Sequence, residues 1–283
     1  MQQRYFTVTI GRNSKSIGAF PFELYSTDSK EAWESVGFRC EDNSIRLNEC
    51  TIKLCQQTEG IKPGIIGWNW HGLDSSLQTL DSIPMKGARG GQSSSVPTSL
   101  PDQPVDEHPN TVYEIDHIVV KTADIHRTEE AFAAAGLVLK RRHIYKEKRL
   151  EQLFYKPRNT IIEVIASWRD ESSAAGTGTS TVAAPDVGSN TSTTTLNNNT
   201  NANGGTDENM SPARNMYDSY IWGITFSCRD IDSLHESMPL TTKPPYAAIQ
   251  KRRLFTTLAS NKHDISLPLA FITPHEHVEK TPN

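Results

Sequence analysis

The sequence predicts an α+β protein built from repeated units, each a strand, a helix and three further strands. Three observations carry that expectation. Short runs of β-branched and aromatic residues flank a single amphipathic stretch, and this order recurs three times along the chain. Each amphipathic stretch opens on an Asp able to cap a helix, and Gly37 and Gly136 close two of them. Two polar, apolar-poor segments separate the three units.

The middle unit shows the plan best. Tyr113–Lys121 reads as a strand, and Asp124 caps a helix whose Ile125, Thr128, Phe132 and Ala135 share a face. Val138–Tyr145, Leu150–Lys156 and Thr160–Ala166 then supply three strands. The last unit repeats the order with Tyr220–Ser227, a helix capped by Asp230 with Ile231, Leu234 and Met238 on one side, and strands at Tyr246–Gln250, Leu254–Leu258 and Leu267–Thr273. The first unit is a weaker copy. Phe6–Ile10 is its strand, and Asp28 with Glu31 forms a capping box before Ala32, Trp33 and Val36. Ser44–Leu47, Cys50–Cys55 and Gly64–Trp70 follow as strands.

The expected boundaries are therefore a degenerate N-terminal unit over 1–85, a linker over 86–111, a unit over 112–168, a disordered low-complexity insert over 169–218, a partner unit over 219–275 and a tail over 276–283. One such unit cannot cover both faces of its own sheet, so the units should pair. An odd number of units leaves one that a homodimer would satisfy.

Composition narrows the function classes. The chain has 283 residues and a net charge of −4, and its densest basic run, Lys140-Arg141-Arg142-His143, falls inside an expected strand with no interleaved aromatics. Nucleic-acid binding has little electrostatic footing. No stretch reads as a secretory leader or a membrane span, so a cytoplasmic protein with no membrane partner is expected. Cys50 and Cys55 sit five apart on one strand and point to opposite faces, while Cys40 and Cys228 read as small hydrophobes.

Two polar residues interrupt apolar strands. His117 sits in Tyr113-Glu114-Ile115-Asp116-His117-Ile118-Val119-Val120, and Glu163 sits in Thr160-Ile161-Ile162-Glu163-Val164-Ile165-Ala166. Burying either without a partner is costly. Alternation places both opposite Ile118, Val120, Ile162 and Val164, on a face that helices would leave open. They suit metal ligation or a hydrogen-bonded polar pair, with Glu163 also a candidate general base. Gln152 or His143 could complete a third ligand position. Gln250, Arg252 and Arg253 form a second candidate set at a hairpin, suited to a carboxylate substrate or to a solvated turn, and alternation turns one of the two arginines inward at most. Trp68, Trp70 and His71 could line a ligand site or be buried between units, and His275, Glu276 and His277 read as a polar tail. No phosphate loop, nucleophile elbow or dinucleotide fingerprint is present.

The residues Asp116-His117-Ile118-Val119-Val120, the helix end Ala133-Ala134-Ala135-Gly136-Leu137, then Gln152-Leu153-Phe154-Tyr155 and Ile162-Glu163-Val164-Ile165 resemble a module of the vicinal oxygen chelate superfamily, which includes glyoxalases, bleomycin-resistance proteins and extradiol dioxygenases. Trp222-Gly223-Ile224-Thr225-Phe226 and Pro268-Leu269-Ala270-Phe271-Ile272 resemble the partner module. The resemblance implies two βαβββ modules closing into a cup-shaped, antiparallel-rich sheet around a divalent metal (Zn, Ni, Mn or Fe). His117 and Glu163 match the first module's ligand pair, whereas Gly223 and Ala270 occupy the second module's positions and cannot ligate. Two readings follow. One is a glyoxalase-like lyase or isomerase, or a dioxygenase, using a metal on an oxygen-rich or carboxylate metabolite. The other is a metal-free small-molecule binding protein of bleomycin-resistance type, which the two missing ligands favour, or a degenerate structural member.

Overall fold

The computed structural model of the protein describes residues 18–57, 63–86, 107–167, 218–238, 245–248, 252–257 and 265–274. Its first described element is strand β1 (Phe20–Ser26), which immediately precedes the first helix. The expected strand at Phe6–Ile10 lies outside the described residues. Pro21 disguises β1 as a turn in the sequence, yet proline is tolerated near the start of a strand. Helix α1 (Lys30–Ser35) is capped by Ser29 rather than Asp28, because the Ser29 hydroxyl accepts the Ala32 N–H at 3.1 Å. Asp28 is buried instead, and its carboxylate accepts the distant Ser266 N–H at 3.1 Å.

Strands β2 (Ser44–Arg46), β3 (Thr51–Leu54) and β4 (Ile65–His71) join β1 in a four-stranded sheet of order β2-β3-β1-β4. A hairpin of β5 (Thr79–Leu80) and β6 (Ile83–Pro84) closes onto β4. Gly67 permits that approach, since a Cβ there would lie 2.7 Å from the Pro84 carbonyl oxygen.

The larger sheet takes its strands from the rest of the chain. Strand β7 (Val112–Lys121), helix α2 (Ile125–Ala134) and strands β8 (Leu139–Tyr145), β9 (Leu150–Tyr155) and β10 (Ile161–Ser167) are followed by strand β11 (Tyr220–Cys228), helix α3 (Ile231–Ser237) and strands β12 (Tyr246–Ala247), β13 (Arg253–Thr257) and β14 (Leu269–Ile272). Asp124 and Asp230 cap their helices as expected, accepting the Arg127 and Ser233 N–H groups at 3.0 Å each. The eight strands run β12-β13-β14-β11-β7-β10-β9-β8, so the protein is α+β with mixed sheets and few helices. β7 pairs parallel with β10 and β11 with β14, and β7 meets β11 antiparallel at the centre.

The N-terminal unit departs from this arrangement. β1 pairs parallel with β3, and its other edge takes β4 antiparallel. In the larger sheet the second edge of β7 belongs to β11. The expected weaker copy therefore shares the order of elements but not the order of strands. It is also seated within the chain. Phe38 lies 4.9 Å from Phe226, Trp33 meets Phe226 edge-on at 6.4 Å, and Trp68 lies 6.4 Å from Phe132 of α2. Trp33, Trp68, Phe132, Ile118, Val120, Ile162, Val164 and Phe226 belong to one buried cluster. The three helices among the described residues and the four-stranded sheet thus cover one face of the larger sheet, each buried aromatic or aliphatic side chain contributing about 1.5–3 kcal/mol of transfer free energy.

The end of the expected linker is packed rather than loose. His108 and Asn110 are each 3% exposed. Asn110 Nδ2 donates to the Val36 carbonyl at 2.9 Å, and its Oδ1 accepts the Val112 N–H at 3.1 Å. His108 Nδ1 accepts the Arg39 N–H at 3.0 Å, so Nε2 carries the ring hydrogen and donates to Arg46 O at 2.9 Å. This pattern needs a neutral ring. Burial, ahead of the opposing bond to Arg46, lowers the His108 pKa below its ordinary 6.5. Since the unfolded chain takes up that proton below about pH 6.5, the stabilisation is complete above that pH and is lost as pH falls from it towards the folded value. Urea unfolding at pH 7.5 and 5.5 should therefore show a steeper loss for the wild type than for His108→Gln. Equal losses would remove the account.

Candidate functional site

Strict alternation along β7 would put Asp116 and His117 on opposite faces. A β-bulge brings them together. Thr225 of β11 pairs with His117 and Phe226 pairs with Ile115, leaving Asp116 as the extra residue. His117 Nδ1 lies 2.5 Å from Asp116 Oδ2. The ionised carboxylate beside Nδ1 favours the tautomer with the hydrogen on that nitrogen, which leaves the lone pair of Nε2 free.

Asp116 is itself anchored. It is 5% exposed, and Arg252, 4% exposed, places Nη1 2.5 Å from Asp116 Oδ1. Arg252 Nη2 donates to Ser227 Oγ at 3.3 Å, and its Nε donates to the Thr273 carbonyl at 2.5 Å. The Ser227 hydroxyl donates to Asp116 Oδ1 at 3.3 Å. Burial alone would raise the Asp116 carboxyl, but His117 and then Arg252 outweigh it and hold the carboxyl well below the usual range. Asp116 is a fixed anion beneath the imidazole.

Glu163 reaches the same face from β10. Ile161 pairs with His117 and Glu163 with Val119, so Glu163 sits one strand over and two residues along from His117. That spacing separates their Cβ atoms by about 8 Å. Gln152 on β9, 7% exposed, donates from Nε2 to Glu163 Oε1 at 2.6 Å. Burial pushes the Glu163 pKa up from its ordinary 4.5, and His117 opposes that shift. Beside the pair, Val119, Leu150 and Ile165 pack with Tyr145 and Trp222 as an apolar patch. One face therefore carries a carboxylate-backed imidazole, a carboxyl biased towards its neutral form and an apolar floor.

The other candidates fall elsewhere. Arg252 lies beneath His117 as the counter-ion of Asp116, whereas Arg253 turns the other way and forms two 2.6 Å bonds to the Asp232 carboxylate of α3. Gln250, His275, Glu276 and His277 lie outside the described residues. His143 pairs in register with Gln152 and shares its face. Trp68 and Trp70 are buried on the helical side, at 0% and 7% exposure. Asp116 is the residue the sequence pattern passed over. The bulge that turns it towards His117 leaves no mark in alternation.

A carboxylate-backed imidazole suits a metal ligand as well as a base, so the number of donors decides. Gly223 and Ala270 occupy the facing positions, paired with Val119 and Thr225, and neither can ligate. A Cβ at Gly223 would sit 3.0 Å from Pro268 O. Glu163 Oε1 is engaged by Gln152, and among the described residues no group of three His, Cys, Asp or Glu could hold a metal ion. These donors do not fit a resident divalent metal, for which three protein ligands are usual.

No family model matches the chain, and no curated protein matches it significantly. Similar solved structures include methylmalonyl-CoA epimerase from Mycobacterium tuberculosis, 12% identical over 61% of this chain and 93% of that one, with a TM-score of 0.37. A hypothetical protein from Bacillus halodurans C-125 is 11% identical over 59% of this chain and 97% of that one, with a TM-score of 0.35. A Streptomyces coelicolor methylmalonyl-CoA epimerase variant in complex with 2-nitronate-propionyl-CoA is 12% identical over 58% and 99%, with a TM-score of 0.33. Likeness at this level transfers no residue's role to this chain.

Proposed function

We propose that residues 112–167 and 220–272 are two βαβββ modules of the vicinal oxygen chelate type, and that their shared sheet binds a small oxygen-bearing metabolite. On it His117 and Glu163 move a proton at a carbon next to a carbonyl, in an isomerase-like reaction without a resident metal. The observation that carries this reading is the 2.5 Å contact of Asp116 with His117 Nδ1, which leaves Nε2 basic on the face where Glu163 stands. His117 Nε2 takes the proton from carbon, the electron pair passes to the carbonyl oxygen, and the Glu163 carboxyl returns a proton to carbon. A carboxyl raised by burial suits that donor role. Asp116 stabilises the imidazolium, and Arg252 keeps Asp116 ionised and in place.

Deuterium incorporation from D₂O into a panel of 2-oxo acids, α-hydroxy ketones and aldehydes tests this. His117→Gln and Glu163→Gln should each slow exchange by about 100-fold or more, and dialysis against EDTA should leave it unchanged. Glu163→Gln should also raise thermal stability. The folded state raises the Glu163 pKa, so the ionised carboxylate present above pH 4.5 opposes folding, and the amide removes that penalty. Exchange no faster than in the double variant would sink the proton-transfer reading. Loss on EDTA treatment with recovery on adding Zn, Ni, Mn or Fe would restore a metal. A second reading, a metal-free binding protein, is favoured by the apolar patch of Val119, Leu150, Ile165 and Trp222, and binding without exchange would select it.

A further inference from the structure

We infer that Arg141 and His143 form a docking point for an anionic group of the substrate, so that the site takes an elongated carboxylate or phosphate ester rather than a short neutral carbonyl compound. This rests on the proton-transfer reading of His117 and Glu163. Strand β8 carries two adjacent arginines, and the strand treats them oppositely. Arg142 pairs with Leu153, on the helical side, and is neutralised by Glu129 and by Glu151. Arg141 pairs with Phe154, which in turn pairs with Glu163, and so faces the same side as the acid–base pair. Its guanidinium lies 6.0 Å from the Phe154 ring centroid, and among the described residues no carboxylate meets it.

His143 is its neighbour on that face. Arg141 Nη2 lies 3.5 Å from His143 Nδ1. A guanidinium only donates, so Nδ1 accepts and the His143 Nε2–H is the outward donor. The His143 ring sits 4.1 Å from the Tyr145 ring, which limits its freedom. His143 also pairs directly with Gln152, the residue that holds Glu163. The surface thus runs from a cation and a neighbouring N–H donor on β8, past Gln152 on β9, to Glu163 on β10 and His117 on β7. β8 and β10 are two strand spacings apart, about 10 Å. A substrate with its reacting carbon near Glu163 would reach Arg141 with an anion carried several bonds away.

The test uses the full chain and needs no turnover. Inorganic phosphate and glutarate are titrated against labelled protein while the Arg141 Nε–Hε and His143 ring resonances are followed by NMR, the latter serving also for Arg141→Gln, with sodium chloride at matched ionic strength as the control. Saturable shifts at Arg141 are expected, and Arg141→Gln should weaken binding about tenfold. Arg142→Gln, on the other face, should bind as the wild type does. The tighter of the two probes identifies the anion as phosphate or carboxylate. Shifts reproduced by chloride, or weakened equally by Arg142→Gln, would overturn the docking point. Because the readout is binding, a negative deuterium-exchange result would remove the chemistry without touching this outcome.

Discussion

Arg252→Met is expected to destabilise the folded protein by about 3–5 kcal/mol, lowering the melting temperature on the order of 10 °C. The reason is what it leaves behind. Asp116 is 5% exposed, and without Arg252 its carboxylate keeps the Ser227 hydroxyl and the His117 ring but loses its buried cation. Asp116→Asn alone should cost a similar amount, because it strands the guanidinium. The double variant Arg252→Met, Asp116→Asn removes both charges and should recover most of the stability, the coupling expected of a buried pair. Deuterium exchange should stay low in that double variant even though folding recovers, since an amide does not stabilise an imidazolium as a carboxylate does. Stability and exchange recovering together would assign Arg252 a purely structural role. The acid limb carries the same signature. The folded Asp116 pKa is depressed, so its stabilisation is present above the ordinary value of 3.8 and is lost as pH falls below it. Additive losses in the two single variants would mean that the 2.5 Å contact contributes nothing beyond its parts.

Much of this arrangement could be read from residue order. His117 and Glu163 stood out because each breaks an apolar strand whose other face is continuous, and period two is enough to place them together. Gln152 was named only for lying on the strand before Glu163, as an alternative to His143, and the register of β9 on β10 supplies its bond to Glu163. Asp124 and Asp230 were legible as caps because a short acceptor precedes an amphipathic run. What was hidden depends on departures from period. The bulge at Asp116 reverses the face of one residue and turns a neighbour into a partner. Arg252 and Arg253 lie at the start of a strand, and alternation allows one inward arginine without saying which or for what purpose. Their partners, Asp116 and Asp232, are 136 and 21 residues away. Ser29 displaced Asp28 as a cap because Asp28 is drawn to the Ser266 N–H, a tertiary contact that local preference does not contain. The strand order of the N-terminal sheet is a further case, since element order alone leaves open which strand takes the second edge of β1.

Asp81→Ala should be the other strongly destabilising change, by about 3 kcal/mol, although Asp81 is remote from His117. It sits at the tip of the β5–β6 hairpin, where Asp81 and Ser82 both have positive φ, 45° and 69°, as a tight type I′ connection requires. Its side chain is 3% exposed and gathers three partners from elsewhere in the chain. Thr128 Oγ1 of α2 and Ser219 Oγ, next to β11, each donate to Oδ2 at 2.5 Å, and Arg127 Nε donates to Oδ1 at 2.8 Å. Arg127 is 36% exposed and can rehydrate, so its share is small, and the two buried hydroxyls carry most of the loss. Part of any effect at this position comes from the backbone, because alanine tolerates positive φ less well than aspartate. Asp81→Gly separates the terms, relieving the φ restriction while still deleting the carboxylate. Chemical unfolding should rank the wild type above Asp81→Asn, then Asp81→Gly, with Asp81→Ala lowest. Asp81→Gly matching the wild type would show that the carboxylate clamps nothing. The expected ranking would mean that one hairpin side chain ties the N-terminal sheet to α2 and to the start of β11, the strand that joins the two halves of the larger sheet along β7.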